Sequence, residues 1–173
     1  MRTARIRHDR ELSYYHILNR VAGEPGYFPF GDMEKEYFIR RAQKLARFYT
    51  IEILSLVVMG NHWHAVCATY PELPGIDEMR KRFRAYYGSL RAEPNWDDPG
   101  VCERLGRRMR DISQFAKDLQ QSFTTWFNST RKKQRRGTLW AGRYKNVLIE
   151  GKDALWACIQ YIEMNPVRAK LCD

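Results

Sequence analysis

The 173-residue sequence has no apolar run that approaches the roughly 18 residues needed to cross a bilayer. Its four cysteines, Cys67, Cys102, Cys158 and Cys172, include no C-x-x-C pair, and this spacing argues against both a zinc ribbon and a disulfide framework. No apolar segment follows the arginines of the first ten residues, so we expect no secretory signal. These absences predict a protein of the reducing cytoplasm with no membrane partner.

Acidic residues are also few relative to basic ones. The chain has 20 Asp and Glu against 30 Lys and Arg, a formal net charge of +10. An excess of positive charge favours a polyanionic partner. Aromatic residues make up 13% of the chain, and because their rings can stack on bases, a nucleic acid is a better match than a membrane surface. A basic protein that is merely soluble is the alternative.

Apolar periodicity predicts one α+β domain over residues 1–173. The predicted order is strand, helix, strand, strand, helix, strand, helix. It corresponds to a ferredoxin-like antiparallel sheet, βαββαβ, with an added C-terminal helix. The strands are predicted at 12–21, 51–59, from 62 onward and 139–150, and the helices at 32–49, 111–128 and from about 153. Asp32 is predicted to cap the first helix, and Glu34 to lie on its water-facing side. Residues 71–110 contain four prolines and two basic clusters, which indicates an inserted, partly helical segment whose apolar side includes Leu90.

Two histidines begin the third predicted strand, directly after the turn signal Gly60-Asn61. Side chains of a strand alternate, so His62 and His64 lie on one face about 6 to 7 Å apart, and Trp63 and Cys67 face the other way. Two imidazoles on one face can hold one metal ion. A pair of this kind also occurs by chance on half-exposed strands. We leave out His16, because a lone strand histidine is more often an ordinary hydrogen-bonded residue.

The last predicted helix carries Tyr161 and Asn165 one turn apart, and hence on one face. They lie at the edge of a predicted buried stripe of Leu155, Cys158, Ile159 and Ile162. Pro166 is predicted to end this helix. Phenols are mostly protonated at neutral pH, so a tyrosine that attacks a phosphodiester needs a metal ion to polarise the phosphate. An added helix could place this tyrosine and Asn165 across the face that holds the histidine pair.

A dense basic run follows the helix predicted at 111–128. It has five positive charges in six residues: Arg131, Lys132, Lys133, Arg135 and Arg136. Such a run is usually a solvated loop, but beside a candidate metal site it favours contact with a phosphate backbone.

Four segments of the chain carry a family resemblance: 14–17 (YYHI), 59–64 (MGNHWH), 139–145 (LWAGRYK) and 161–169 (YIEMNPVRA). Together they resemble the IS200-type single-tyrosine (HUH) transposases, and most closely the REP-associated tyrosine transposases. The resemblance implies that His62, His64 and Asn165 hold Mg²⁺ or Mn²⁺. It also implies that Tyr161 nicks single-stranded or hairpin DNA through a 5′-phosphotyrosine link.

Within the same resemblance, Arg143 and Lys145 join the predicted DNA contacts, and the protein is expected at the bacterial nucleoid. Gly60 stands where the family commonly has proline. Two alternatives stay open: an inactive hairpin-binding regulator of the same fold, and a metallonuclease that uses an activated water. The DNA target, the choice between monomer and homodimer, and whether Tyr161 serves its own subunit's metal also stay open.

Overall fold

The computed structural model describes residues 11–132 and 135–169. Four antiparallel strands form one sheet in the order β2-β3-β1-β4. Their bounds are Ser13–Arg20 (β1), Ile51–Val58 (β2), His62–Thr69 (β3) and Lys145–Ile149 (β4). Strand β3 separates β1 from β2, which is the split βαβ arrangement of a ferredoxin-like sheet. The predicted fold class is confirmed.

Six α-helices connect or flank these strands in the described part of the chain. They are Asp32–Phe48 (α1), Ile76–Tyr87 (α2), Pro99–Met109 (α3), Ile112–Ser129 (α4), Lys152–Glu163 (α5) and Asn165–Arg168 (α6). Within the described ranges, no helix is both long enough and apolar enough to cross a bilayer.

The core lies on one face of the sheet, under α1 and α4. On β1 the buried residues alternate with half-buried ones, and Tyr15 and Ile17 point into the core. Trp63 of β3 is fully buried there, with its ring 5.3 Å from that of Phe38 on α1. Cys67 is buried on the same face. The opposite face of the sheet, which presents His62 and His64, meets α5 instead, since α5 lies against β2 and β3.

The start of α1 differs from the sequence expectation. The N-terminal cap is Gly31 rather than Asp32, and Glu34 Oε2 accepts a hydrogen bond of 2.9 Å from the Gly31 N–H. Glu34 was expected to face water, but it is buried and pairs with Arg131. A buried carboxylate requires such a partner, because its desolvation is otherwise costly.

Two expectations for the C-terminal helices are also corrected. In the predicted stripe only Ile162 is fully buried, and Leu155, Cys158 and Ile159 are half-buried. Pro166 does not end the tyrosine helix, because α5 already ends at Glu163. Instead, Pro166 lies in the first turn of α6, where the missing N–H of proline needs no partner.

The segment 71–110 contributes helices α2 and α3. Met79 and Phe83 of α2 are buried, and α2 lies against α1. Leu90 is 92% exposed and is therefore not part of this apolar contact. The helical turn Gly88–Leu90 turns its side chain away from the core.

Candidate active site

Three histidines meet on the face of the sheet that α5 covers. The rings of His62 and His64 have centroids 5.2 Å apart, and the ring of His16 stacks on that of His64 at 5.1 Å. A hydrogen bond of 2.9 Å joins His16 Nε2 and His64 Nδ1. The predicted pairing of His62 and His64 on one face agrees with this geometry. The third ring, His16, was left out of the sequence prediction.

The position of His16 depends on strand pairing. Strand β1 lies beside β3 with His16 opposite Val66 and Leu18 opposite His64, so His16 and His64 are diagonal neighbours on one face. They are 48 residues apart in sequence. The contact between His16 and His64 could be predicted only once β1 and β3 were known to be neighbouring strands.

Asn61 sets the orientation of the His62 ring. Its side-chain Nδ2 donates to the carbonyl oxygen of Tyr27 at 3.1 Å, and its Oδ1 lies 2.8 Å from His62 Nδ1. Because Oδ1 can only accept, His62 Nδ1 carries the hydrogen and donates it. The lone pair of His62 is therefore on Nε2. An outer partner that fixes the tautomer of a ligating histidine is a general feature of metal sites.

All three imidazoles are held in the neutral form. Burial lowers the pKa of His16, and burial together with the charge of Arg20 lowers the pKa of His62. Burial, with smaller contributions from His16 and His62, lowers the pKa of His64 to about 4. Neutral imidazole is the form that binds a metal ion, so at pH 7 the cluster offers lone pairs rather than positive charges.

Tyr161 of α5 reaches this cluster. Its ring centroid lies 6.2 Å from that of His64, nearly perpendicular to it, and the residue is 44% exposed. The guanidinium of Arg168, on α6, lies 5.1 Å from the centroid of the Tyr161 ring. A half-exposed tyrosine whose ring lies under a guanidinium has positive charge close by, which favours the approach of a phosphate group.

Asn165 lies beside Tyr161, although the two residues belong to different helices. Its Nδ2 donates to the carbonyl oxygen of Tyr161 at 3.1 Å. This bond uses the amide nitrogen, so the amide oxygen is the atom of this side chain that could act as a metal donor.

The donor types at this place are those that would hold a divalent ion only weakly. Within residues 11–132 and 135–169, no group of three or more His, Cys, Asp and Glu side chains is placed to hold a metal. The candidate donors are instead the neutral imidazoles on one face of the sheet and the neutral side-chain amide of Asn165 in α6. A set without negative charge binds a hard cation loosely until a phosphate oxygen adds its charge.

The predicted DNA-contacting residues fall into two groups. Lys132, Arg136, Arg143 and Lys145 are exposed. Arg131 and Arg135 are tied down: Arg131 lies over the Phe127 ring and pairs with Glu34, and Arg135 donates to Asn128 Oδ1 and to the Thr138 carbonyl oxygen. Lys133 lies outside the described residues.

No family model and no curated protein matches this sequence. Among solved structures, it is similar to a REP-associated tyrosine transposase bound to a REP hairpin. The alignment has a TM-score of 0.60 at 15% identity and covers 97% of this chain and 74% of that one. This chain has the fold of that transposase. A candidate transposase from Deinococcus radiodurans R1 aligns over 94% of this chain and 96% of its own, at 16% identity and a TM-score of 0.42. In this fold, the face of the sheet opposite the core carries the histidines, and α5 brings Tyr161 to them.

Proposed function

We propose that this chain is a transposase-type enzyme that nicks single-stranded DNA and transfers the strand through a 5′-phosphotyrosine link, acting at hairpin sites. The observation that carries the proposal is the meeting of Tyr161 with the histidine cluster, 6.2 Å between ring centroids of Tyr161 and His64. The similar transposase structure was solved with a REP hairpin, which supports DNA of the same class as the substrate here.

In the proposed reaction, Tyr161 Oη forms a bond to phosphorus as the bond between phosphorus and the 3′-oxygen breaks. The phenolic proton passes to solvent, and the leaving oxygen takes up a proton to become a free 3′-hydroxyl. The energy of the broken phosphodiester is kept in the phosphotyrosine, so a second 3′-hydroxyl can reverse the step and join a new strand. A tyrosine nucleophile therefore suits strand transfer better than simple hydrolysis.

His62, His64 and Asn165 would hold the divalent ion, Mg²⁺ or Mn²⁺, which when bound neutralises the phosphate and polarises its bonds to oxygen. The neutral imidazoles and the amide hold their lone pairs ready at neutral pH. Arg168, whose guanidinium lies over the Tyr161 ring, would contact the phosphate through its positive charge. Lys132, Arg136, Arg143 and Lys145 would contact the strand on either side, with the remaining cations of the 131–136 run adding to the local positive charge. Binding to chromosomal hairpins would place the protein at the nucleoid.

The test is Tyr161→Phe in the full chain. The variant should lose both the nick and the covalent adduct, and it should keep hairpin affinity within a few-fold, because one hydroxyl contributes little to binding through phosphates and stacking. Mass spectrometry of the trapped wild-type adduct should locate DNA on the peptide containing Tyr161. Tyr70→Phe is the matched control, since Tyr70 is exposed to the same degree, 43%, at the far end of the sheet.

Three results would contradict this assignment. An adduct that persists in Tyr161→Phe would move the nucleophile to another tyrosine. Cleaved ends without any adduct would indicate a metallonuclease that uses water, and binding without cleavage in the wild type would indicate a hairpin-binding regulator.

A further inference from the structure

A cavity of about 620 Å³ opens beside His62, and no residue of α5 lines it. Its walls are the end of β1, the loop over residues 23–27, the turn before β3 and the loop that leads into β4. A cavity of this size is in the range that holds small ligands. It shares His62 and Asn61 with the candidate active site.

The lining of this cavity is chemically mixed. Tyr27 contributes a ring that is 44% exposed, and Arg20, Arg143 and Lys145 contribute three cations. Glu24 contributes a carboxylate that can accept hydrogen bonds from the amino group of a base. An aromatic ring beside several cations is the combination by which proteins bind single-stranded nucleic acid.

Tyr27 is fixed at both its ring and its backbone. A Cβ atom added to Gly23 would lie 2.5 Å from Tyr27 Cδ1, so the ring packs directly on the Gly23 backbone. The backbone carbonyl oxygen of Tyr27 accepts the hydrogen bond from Asn61, the residue that orients His62. The Tyr27 backbone and the candidate metal ligand are thus connected through the Asn61 side chain.

We infer that this cavity binds one unstacked base of single-stranded DNA next to the nicked phosphate, with the base against Tyr27. The inference rests on the proposed nicking function. It adds a base-binding site to the phosphate contacts, and it explains why an exposed tyrosine is fixed to the loop that carries Asn61. A base held here would leave its own phosphate near Arg20 and His62.

The experiment uses the full chain with Tyr161→Phe and no divalent ion, so that binding is measured without cleavage. Fluorescence anisotropy compares a labelled 12-nucleotide oligothymidylate with an abasic oligomer of the same length. Tyr27→Ala should weaken binding of oligothymidylate about tenfold, because base stacking on a ring is lost. It should leave binding of the abasic oligomer unchanged, as well as the salt dependence of both.

Three variants accompany this measurement. Tyr27→Phe should restore oligothymidylate affinity, since the ring is kept. Gly23→Ala should weaken it, because the added methyl group displaces the ring. Tyr70→Ala, which removes an equally exposed tyrosine elsewhere, should have no effect.

Equal weakening of both oligomers by Tyr27→Ala, or a loss no larger than that in Tyr70→Ala, would overturn the inference. Displacement of the oligomer by micromolar thymidine monophosphate would also overturn it, by assigning the cavity to a free nucleotide. Because none of these measurements involves a nick, a failure here is distinct from a failure to find the phosphotyrosine.

Discussion

At the scale of single residues, the side chain of greatest consequence apart from the proposed nucleophile, Tyr161, is Asn61. Its two hydrogen bonds fix the amide, and the fixed amide leaves the lone pair of His62 on Nε2. We expect Asn61→Ala to weaken Mn²⁺ binding by about 10- to 100-fold, the usual effect of removing an outer partner of a ligating histidine. Isothermal titration with Mn²⁺ measures this directly.

The tautomer supplies an independent check on Asn61. In the wild type, ¹⁵N NMR should show His62 protonated at Nδ1, and in Asn61→Ala a mixture of tautomers. Asn95→Ala is the control, because Asn95 accepts a bond only from its own loop, at Asp97 N. Unchanged Mn²⁺ affinity together with an unchanged His62 spectrum would remove Asn61 from the account of the site.

Residues also show where sequence-based prediction reached its limit. The alternation of β3 was sufficient to place His62 and His64 together, because a strand has a period of two whatever its partners. The same rule assigns His16 a face but no neighbour. Its contact with His64 requires the pairing of β1 with β3, and nothing local to either strand specifies that pairing.

At the scale of elements, the pair of Glu34 and Arg131 connects the start of α1 to the end of α4. Arg131 was predicted to contact DNA, and the ion pair supplies a structural role for the same side chain. We expect Arg131→Ala to lower the free energy of unfolding by about 2 kcal/mol, because it leaves a buried carboxylate without its cation. Urea unfolding measures this, with the exposed neighbour Lys132→Ala as the control that should change stability by less than about 0.5 kcal/mol.

The same pair predicts an acid sensitivity. Burial alone would raise the pKa of Glu34, but hydrogen bonds from Arg131 and the Gly31 N–H, with the charge of Arg131, lower it overall. A lowered carboxyl pKa stabilises the folded state above the ordinary carboxyl pKa. That contribution is lost as the pH falls through the lowered value. Glu34→Gln should therefore lose less stability than the wild type between pH 5 and pH 3, and equal losses in urea titrations would contradict the assignment.

Elements were easier to predict than their ends. The helical periods of α1 and α4 and the alternation of the strands are local properties. The structure has α1, α4 and the first three strands close to the predicted positions, whereas β4 begins at Lys145 rather than at residue 139. The burial of Glu34 depends on Arg131, 97 residues away, so the helix pattern alone placed it in water. Only one residue of α5 is fully buried because of where α5 lies on the sheet. The sequence of α5 alone does not determine that position.

At the scale of the whole molecule, the net charge of +10 is spread over surfaces with different expected roles. Replacing the exposed cations Lys132, Arg143 and Lys145 by Gln should reduce the log-log salt slope of single-strand binding by about 2, since each phosphate contact contributes about 0.7. Fluorescence anisotropy titrations at KCl concentrations from roughly 50 to 300 mM measure this slope.

The matched control replaces three exposed cations on the side of the inserted segment: Arg47, Lys81 and Arg104. It removes the same formal charge, so a merely electrostatic attraction to the whole protein would change both slopes equally. A slope that falls only in the first variant locates the strand along the β4 side of the molecule. Equal decreases in the salt slope of both variants would mean that DNA has no preferred binding surface on the protein.

The sheet register has a consequence for how this chain can change in length. His62 and His64 on β3 alternate with Trp63 and Ala65, which belong to the apolar core, so a one-residue slip of β3 against β1 would turn the imidazoles into that core and move the indole to the face under α5. Single-residue insertions or deletions in the turn at 59–61 should therefore abolish the site and the core together. The exposed stretch around Leu90 should accept them freely. In a library of one-residue insertions and deletions, selection for folding alone should remove variants in β1 and β3. Selection for nicking should remove the same variants.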